Sequence, residues 1–240
     1  MRKRIKRFLR KHGLDIVSYD PVYHPVARRL KLMSQYKINL VFDVGANTGQ
    51  YGTHIREIGY RGRIVSFEPL TSAFNELKKC TNNDSLWNAV NMALGDQDGT
   101  AEINISRNSQ SSSLRDILPS HVEAAPESAY VGKETIEIRK LDSIFNTYWK
   151  PSNNLYLKID AQGYERNIIE GGQNCLDRVT GVQMEVSLVP LYEGETLLVE
   201  MIKFMSEKGF VLMSMEPTYG NAETGQLLQT DCVFFRSAAV

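Results

Sequence analysis

The chain has few cysteines and no long apolar run, and these absences narrow the classes of protein to which it can belong. Its 240 residues include 3 cysteines, an odd number without the short spacings of a metal site. We interpret Cys80, Cys175 and Cys232 as reduced thiols of a protein in a reducing compartment. No apolar run approaches the roughly 20 residues that a membrane-spanning helix needs. A disulfide-stapled, cysteine-ligated zinc or membrane-spanning protein is therefore not expected.

The N-terminus does not read as a targeting signal, and the chain has no net charge. The basic N-terminus leads into Asp15 and Asp20 rather than into an apolar segment, so we expect no secretory signal and a cytoplasmic protein. The 28 basic and 28 acidic residues cancel, but seven of the basic ones fall within residues 1–12. The remaining chain has 21 basic residues (28 less 7) against 28 acidic ones. Because this remainder is acidic and has no RNA- or DNA-binding motif, no nucleic-acid partner is expected.

The basic segment admits two interpretations. As a helix, residues 1–12 would carry Ile5, Phe8 and Leu9 on one side, which suits weak contact with an anionic membrane surface or a polyanion. The alternative is a solvated helix that frays. We treat residues 1–37 as a basic, helical N-terminal extension and residues 38–240 as the main domain, whose length suits a single core.

Predicted strands and helices alternate from residue 38 onward. Short apolar runs predict the strands, and helical periodicity predicts the helices. The strands are 38–43, 63–67, 87–93, 155–160 and 181–186, and the helices are 49–58, 71–79, 164–171 and 195–208. Such alternation predicts an α/β domain in which helices cover both faces of a parallel sheet.

Two regions depart from this alternation. Residues 100–106 and 134–139 alternate polar and apolar side chains, which predicts an antiparallel β excursion with residues 107–132 as a long loop. Loops of that length inside compact domains often form lids or binding segments. The closing runs 210–215 and 231–235 predict a terminal hairpin.

The segment Ile38 to Gly49 carries the strongest indication of a ligand site. Its apolar run ends in Asp43, and a loop of small residues follows, as where nucleotide-type ligands approach backbone N–H groups. Glu68 ends the next strand, 25 positions after Asp43, where an acid normally holds a ribose diol. The spacing Gly-x-x-x-Gly departs from the dinucleotide fingerprint Gly-x-Gly-x-x-Gly. It suits S-adenosylmethionine better, since that ligand has a ribose but no phosphate.

Two more acids, Asp96 and Asp160, also follow predicted strands. Ligands of open α/β sheets bind outside the carboxyl ends of the strands, so all four acids are expected at one site. A single acid at a strand end is commonly a helix cap or a turn former. Four of them beside a small-residue loop instead indicate a bound ligand with hydroxyl and amine groups.

Four segments resemble, in order and spacing, the FkbM family of S-adenosylmethionine-dependent methyltransferases. They are Phe42 to Gly49, Phe67 to Pro69, Ala93 to Asp96, and Leu157 to Glu165. The last contains Lys-Ile-Asp-x-x-Gly-x-Glu and is the most specific. The resemblance implies a class I, Rossmann-like methyltransferase with a mostly parallel seven-stranded sheet, an antiparallel terminal hairpin and an inserted β excursion. It also implies S-adenosylmethionine as cofactor and O-methylation of a sugar, glycan or polyketide-type hydroxyl.

The resemblance further implies roles for individual residues. The loop from Asp43 to Gly49 would surround the methionine part of the cofactor, Glu68 would accept hydrogen bonds from the ribose, and Leu94 and Asp96 would lie near the adenine. The implied cofactor-binding set is Asp43, Gly45, Ala46, Asn47, Gly49, Glu68, Pro69, Leu94, Asp96 and Asp160. For the acceptor we expect hydroxyl groups from Ser111 and Ser112, and aromatic rings from Tyr164 and Tyr192.

A general base should assist methyl transfer, because an aliphatic hydroxyl is a weak nucleophile. Asp160 is the first candidate for this base and Glu185 is the second. Other conceivable bases are His54, His121 and Glu165, the last of which has a structural alternative as the cap of its helix.

A metal is not expected at this site. Position 162 is Gln where many family members carry Glu, which weakens any scheme with three carboxylates. A divalent ion on Asp160 and Glu185 would suit the carboxylates but would lack further ligands.

Two other functions stay open at this point. One is an NAD-dependent oxidoreductase, which the missing dinucleotide fingerprint disfavours. The other is a non-catalytic cofactor-binding module that the basic N-terminus docks to a partner. The acceptor, the methylated atom and the oligomeric state do not follow from the sequence.

Overall fold

The structure, a computed structural model, describes residues 2–237 and the side chains of residues 4–237. The helices are α1 (Arg2–Lys11), α2 (Pro25–Gln35), α3 (Gln50–Glu57), α4 (Thr71–Thr81), α5 (Pro119–Ala124), α6 (Leu141–Tyr148), α7 (Glu165–Glu170) and α8 (Leu198–Glu207). The strands are β1 (Leu40–Val44), β2 (Arg63–Phe67), β3 (Trp87–Val90), β4 (Ala93–Gly95), β5 (Gly99–Ser106), β6 (Tyr130–Lys140), β7 (Leu155–Ile159), β8 (Val179–Ser187), β9 (Phe210–Gly220) and β10 (Leu227–Arg236).

Seven strands form the main sheet in the order β3-β2-β1-β7-β8-β10-β9. The first five run parallel, and β10 pairs antiparallel with both of its neighbours. This confirms the predicted mostly parallel sheet with an antiparallel terminal hairpin. The strand order reverses between β1 and β7, and ligands of open α/β sheets bind at such a point.

Alternate residues of the central strands enter different cores on the two faces of the sheet. In β1, Leu40, Phe42 and Val44 join one buried cluster, whereas Val41 joins another. Both faces are covered, so this strand is apolar throughout except for Asp43. Burying each such aliphatic side chain stabilises the fold by about 1.5–3 kcal/mol.

The predicted β excursion forms a separate three-stranded sheet in the order β4-β6-β5. One prediction here was wrong, because residues 87–93 are not a single strand. The chain breaks at Asn91, whose side-chain amide donates to the carbonyl oxygens of Glu68 and Pro69, both at 2.9 Å. Beyond this break β4 leaves the main sheet and pairs parallel with β6.

Two α-helices were missed by the sequence interpretation. The loop predicted for residues 107–132 contains α5 and a short 3-10 helix, Pro126–Ser128. Helix α6 begins directly after β6, with no Gly or Pro to separate the two. A transition without a breaker residue gives no local signal.

The N-terminal region consists of a packed part and an exposed part. Helix α2 packs on β9, where Arg29 forms a buried ion pair with Glu216 at 3.3 Å. Most residues from 4 to 23 are exposed, including large apolar side chains. Within the described residues, no helix is long and apolar enough to cross a membrane. The predicted boundary at residue 37 stays a prediction.

Candidate active site

A cavity of about 540 Å³ opens at the carboxyl ends of β1, β2 and β7. Its size is typical of sites for small molecules and cofactors. Loops after these strands, the segment 108–114, α5 and the terminal hairpin contribute to its wall. The predicted site residues that line it are Gly45, Ala46, Asn47, Glu68, Pro69, Leu94, Ser111, Ser112, Asp160, Tyr164 and Glu185.

The loop after β1 is a tight turn that only a glycine can begin. Gly45 has φ +73°, and a Cβ atom there would lie 1.8 Å from the carbonyl oxygen of Asp160. Asn47 also adopts a left-handed conformation, with φ +46°. Gly49 has φ +93°, immediately precedes α3 and faces Leu77 rather than the cavity. This turn brings the end of β1 against the end of β7.

Every backbone N–H group of residues 45–49 has a partner within the chain. Those of Gly45 and Ala46 both donate to the carbonyl oxygen of Phe67, at 3.0 and 3.1 Å. The N–H group of Asn47 donates to Glu68 at 2.7 Å, that of residue 48 to the Asn47 side chain at 2.9 Å, and that of Gly49 to Ala46 at 2.9 Å. The loop therefore offers no free row of N–H groups to cradle a pyrophosphate.

Glu68 faces the cavity from the end of β2 with both of its carboxylate oxygens oriented. Oε2 accepts from the N–H of Asn47 at 2.7 Å, and Oε1 accepts from the N–H of Leu70 at 2.9 Å. Burial, opposed by these hydrogen bonds, raises the pKa of Glu68 to about 7. Each oxygen keeps a lone pair, so the carboxylate can also accept from a diol in the cavity.

Asp43 lies behind the cavity wall and forms a buried pair with Lys158. It accepts from the Ser66 hydroxyl at 2.9 Å, and its Oδ1 lies 3.7 Å from the Lys158 ammonium nitrogen. Within the described residues Oδ1 has no hydrogen-bond partner. Burial raises the pKa of Asp43, and the charge of Lys158 opposes that rise. Lys158 lines the cavity, so Asp43 acts on the site through this lysine.

Asp160 presents a carboxylate to the cavity directly after β7, with its side chain 35% exposed. Oδ2 lies 3.3 Å from the ammonium nitrogen of Lys158, and Oδ1 accepts from Gln162 Nε2 at 2.7 Å. One lysine therefore holds two carboxylates, one buried and one facing the cavity. This arrangement orients Asp160 toward a bound molecule.

Gln162 connects three candidate residues through its amide. Nε2 donates to Asp160 and, at 3.0 Å, to Glu185 Oε2, while Oε1 accepts from the hydroxyl of Tyr192 at 2.5 Å. Gln162 has φ +52°, and Gly163 follows with φ +90°. A carboxylate at position 162 would face Asp160 and Glu185, whereas the amide can donate to both.

Glu185 lines the cavity as part of β8 and differs electrostatically from Asp160. Burial, together with the negative charges of Asp160 and Asp231, raises the pKa of Glu185 to about 8. Its surroundings therefore favour the protonated form more than those of an exposed carboxyl group do. Asp231, opposite it on β10, accepts from Gln183 at 2.8 Å and also lines the cavity.

Several sequence-based candidates lie away from the cavity. Asp96 follows β4, and its two oxygens accept from Tyr164 and Asn167, at 3.0 and 2.8 Å. His54 is a half-buried residue of α3, and Tyr192 contacts the site through Gln162. The predicted roles of these residues as direct ligands stay predictions, and the hydrogen bonds give Asp96 another partner.

Glu165 has a structural role, but it does not cap its helix as the sequence alternative proposed, because α7 has no side-chain cap. Its Oε1 accepts from the N–H groups of Ala161 and Gly163, at 2.9 and 3.2 Å. Burial raises the pKa of Glu165 to about 7. The side chain thus shapes the turn that carries Gln162.

The segment after β5 contributes small polar side chains. Ser111 is buried, and its hydroxyl accepts from the Asn108 amide at 3.0 Å. The hydroxyl of Ser112 pairs with that of Ser106 at 3.2 Å, and Asn47 Nδ2 donates to Ser109 at 3.1 Å. These bonds hold the segment in the cavity wall, where the Ser113 hydroxyl also donates to the carbonyl oxygen of Gln162 at 2.6 Å.

Lys158, Tyr219 and Asp231 line the cavity but were not predicted as site residues. The sequence does contain a signal for Lys158, which is a single charge inside the apolar strand from Leu155 to Ile159. A lone charge within a buried strand needs a partner. Within residues 4–237, no group of three or more His, Cys, Asp or Glu side chains has an arrangement that would hold a metal ion.

Comparison with known families gives one match along most of the chain. A family model described as "Methyltransferase FkbM domain" matches residues 43–212. No curated protein sequence matches the chain.

Similar folds occur among solved structures. One is a methyltransferase FkbM from Methylobacillus flagellatus KT, with a TM-score of 0.50 and 13% identity over 82% of this chain and 43% of that one. Another is the magnesium protoporphyrin IX methyltransferase of Synechocystis PCC 6803 with bound S-adenosylmethionine, with a TM-score of 0.49 and 10% identity over 89% and 77%. The chain thus spans less than half the length of the first structure. At 13% identity, that likeness shows the fold.

Proposed function

The chain belongs to the FkbM methyltransferase family, and we propose that it methylates a hydroxyl group of a sugar, glycan or polyketide-type acceptor. The cofactor is S-adenosylmethionine, which when bound supplies a methyl group already activated by a sulfonium. The observation that carries the proposal is the oriented carboxylate of Asp160, which faces the cavity from the end of β7. A hydroxyl acceptor needs such a base, because an aliphatic alcohol is a weak nucleophile.

The residues around the loop after β1 fit this cofactor. Glu68 has lone pairs left for a ribose diol, and Pro69 and Leu94 give an apolar wall beside it. All five loop N–H groups are paired within the chain, so the loop suits a ligand that has no phosphate. The same pairing disfavours NAD, whose pyrophosphate needs free donors at this position.

Asp160 is the residue to which the acceptor proton would go. Lys158 keeps a positive charge beside it, and Gln162 holds its Oδ1 in place. A positioned general base contributes typically about 10²–10⁴-fold to a rate, and correct alignment of the acceptor contributes up to ~7–11 kcal/mol. Glu185 is the second candidate, because burial and the neighbouring carboxylates raise its pKa and so favour its protonated form.

The test is methyl transfer from radiolabelled S-adenosylmethionine to a panel of methyl glycosides and polyketide alcohols, with matched amines in parallel. Asp160→Asn should lower kcat by about 10²–10⁴-fold and leave the Kd for S-adenosylhomocysteine within threefold. The matched control is Asp177→Asn, at an exposed carboxylate outside the cavity. Methylation of amines but of no alcohol would contradict the proposal, as would unchanged turnover in Asp160→Asn.

A further inference from the structure

Two buried polar atoms at the cavity have no hydrogen-bond partner in the described part of the chain. They are Nδ1 of His121 and the hydroxyl oxygen of Tyr219. Both residues line the cavity, and their rings lie 5.7 Å apart with planes tilted by 42°. Polar atoms buried without a partner are rare in proteins, so this pair requires an explanation.

Both side chains pack against neighbouring aromatic rings. His121 lies on α5, is 3% exposed, and meets the ring of Tyr192 edge-to-face at 5.1 Å. Tyr219 lies on β9, which is an edge strand of the main sheet. Burial lowers the pKa of His121 to about 4, so the imidazole is neutral at physiological pH. A neutral imidazole and a phenol can donate or accept hydrogen bonds without adding charge.

A series of contacts connects His121 with the part of the cavity that contains Asp160. The hydroxyl of Tyr192, whose ring touches His121, donates to Gln162, and Gln162 donates to Asp160. A molecule that contacts the base at Asp160 can therefore extend toward α5. His121, Tyr219 and Asp160 line one cavity, so the remainder of such a molecule would meet the two unpaired atoms.

The charges around the cavity limit the chemistry of that acceptor. Its described lining includes four carboxyl side chains and a single Lys or Arg residue. These are Glu68, Asp160, Glu185, Asp231 and Lys158. The lysine is engaged by Asp43 and Asp160, so a phosphate or carboxylate of the acceptor would meet an excess of negative charge. An uncharged molecule with several hydroxyl groups meets none of these penalties.

We propose that His121 and Tyr219 form an acceptor subsite that hydrogen-bonds hydroxyl groups of a neutral, polyhydroxylated molecule such as a glycoside. This inference rests on the proposed function and specifies the substrate class of the same site. The ligand would supply the partners that the two buried atoms lack, and each side chain would contribute to affinity rather than to the chemical step.

The subsite is tested by binding, independently of turnover. The probes are methyl glycosides of neutral hexoses, measured by saturation-transfer NMR in the presence of S-adenosylhomocysteine. Tyr219→Phe and His121→Phe should each weaken probe binding about 10-fold, while the Kd for S-adenosylhomocysteine stays within twofold. Because Tyr219→Phe removes only an unpaired hydroxyl, its melting temperature should not fall. A side chain with a merely structural role would give the opposite pattern, with a lower melting temperature and unchanged probe binding.

Three outcomes would overturn the subsite. They are the absence of probe binding by the native protein, probe binding by both variants that equals that of the native protein, and stronger binding of a sugar phosphate than of the neutral sugar. If the native protein binds the probes but methylates no alcohol, the proposed function fails while the subsite stands.

A second surface, at residues 4–23, carries an independent inference. Eight of its large apolar side chains are 45–69% exposed, and these are Ile5, Phe8, Leu14, Ile16, Val17, Tyr19, Val22 and Tyr23. Five exposed basic residues of α1 accompany them, namely Arg4, Lys6, Arg7, Arg10 and Lys11. Arg10 forms an exposed ion pair with Asp15 at 2.9 Å. Apolar and basic side chains together are typical of segments that lie in the interface of an anionic bilayer.

We infer that residues 4–23 bind the surface of an anionic membrane. The charge of α1 argues for this partner and against pairing of the segment with its own copy, since like charges repel. Vesicles of phosphatidylcholine with 30% phosphatidylserine should sediment the protein, and vesicles of phosphatidylcholine alone should not.

The double variant Phe8→Ser/Ile5→Ser should lower the bound fraction at least fivefold, and Lys6→Glu/Arg7→Glu should do the same. Lys203→Glu, on α8 far along the chain, is the charge control. Equal binding to both kinds of vesicle, no binding to either, or a dimer in light scattering that these variants dissociate would each overturn the inference.

Discussion

The two sides of the cavity differ in whether their polar groups have hydrogen-bond partners within the described chain. On the side of β1 and β2, five successive backbone N–H groups have partners and both oxygens of Glu68 accept from the backbone. On the side of α5 and β9, His121 and Tyr219 each keep a buried polar atom that no described residue satisfies. The first side is rigid before any ligand binds, which suits a cofactor of constant shape. The second would be completed by its ligand, which is what the proposed acceptor subsite requires.

Asp43→Ala should have the largest effect on the side of the cavity formed by β1 and β2. The substitution leaves Lys158 buried with Asp160 as its remaining partner, and removing one member of a buried ion pair costs about 3–5 kcal/mol. We expect that loss in the free energy of unfolding measured by urea denaturation, together with loss of cofactor binding. Glu102→Gln, which removes the exposed partner of Lys133, should cost less than about 1 kcal/mol. Stability and cofactor affinity equal to those of the native protein would show that the pair does not hold the site.

Gly45→Ala should have the next largest effect. The added methyl group would lie 1.8 Å from the carbonyl oxygen of Asp160, so β1 and β7 must separate where the cofactor binds. The chain offers a matched control in Gly13, which has φ +74° against +73° for Gly45 and open space around its Cβ position. Both variants carry the left-handed backbone penalty of about 1–2 kcal/mol.

Gly45→Ala should lose at least ~2 kcal/mol more than Gly13→Ala, because overpacking adds its own cost. Calorimetry should also show at least 10-fold weaker binding of S-adenosylhomocysteine in Gly45→Ala alone. Equal stability and equal affinity in the two variants would mean that the close approach at Gly45 has no importance for the site.

Glu68→Gln should weaken S-adenosylhomocysteine binding about 10–100-fold, because hydrogen bonds to a charged acceptor contribute roughly 1.5–3 kcal/mol. Glu165→Gln is the matched control. Glu165 is also buried, accepts from two backbone N–H groups and has a pKa raised to about 7, but it does not line the cavity. We expect less than a threefold change in Kd for this control. Equal losses in both variants would assign Glu68 a structural role.

The pH dependence of cofactor binding should give the smallest effect. Burial raises the pKa of Glu68 to about 7, so the carboxylate that accepts from the ribose becomes ionised as the pH rises through 7. Affinity for S-adenosylhomocysteine should therefore increase about 10-fold between pH 6 and pH 8. Glu68→Gln should abolish this dependence, and Glu165→Gln should retain it. Binding that weakens with rising pH would contradict the assignment.

The raised pKa values also predict the direction in which the stability of the folded chain changes with pH. A carboxyl group whose pKa is higher in the folded chain than in the unfolded chain binds more protons when folded, so stability falls as pH rises between the two values. For Glu68 and Glu165 that window runs from about 4.3 to about 7. The buried acids of this site therefore cost stability at neutral pH, which favours a functional role for at least one of them.

Much of the fold could be predicted because burial imposes a period on the sequence. The strand predicted at 63–67 coincides with β2, and the excursion strand predicted at 100–106 lies within β5. The prediction failed at 87–93, where one apolar run serves two sheets, and at α6, where strand passes into helix without a breaker. In both places a contact distant in sequence, such as that of Asn91 with the end of β2, overrides the local pattern.

The candidate site, like the fold, was only partly predictable from the sequence. Asp43, Glu68 and Asp160 could be found from the sequence, because each ends a strand whose position the apolar pattern gives. Packing alone decides three other features. Asp43 lies behind the cavity wall, Gln162 joins Asp160 to Glu185, and His121 contacts Tyr219. Gln162 and Glu185 are 23 positions apart, and His121 and Tyr219 are 98 apart. Local periodicity specifies which residues turn inward, whereas the register and crossing of separate elements specify which of them meet.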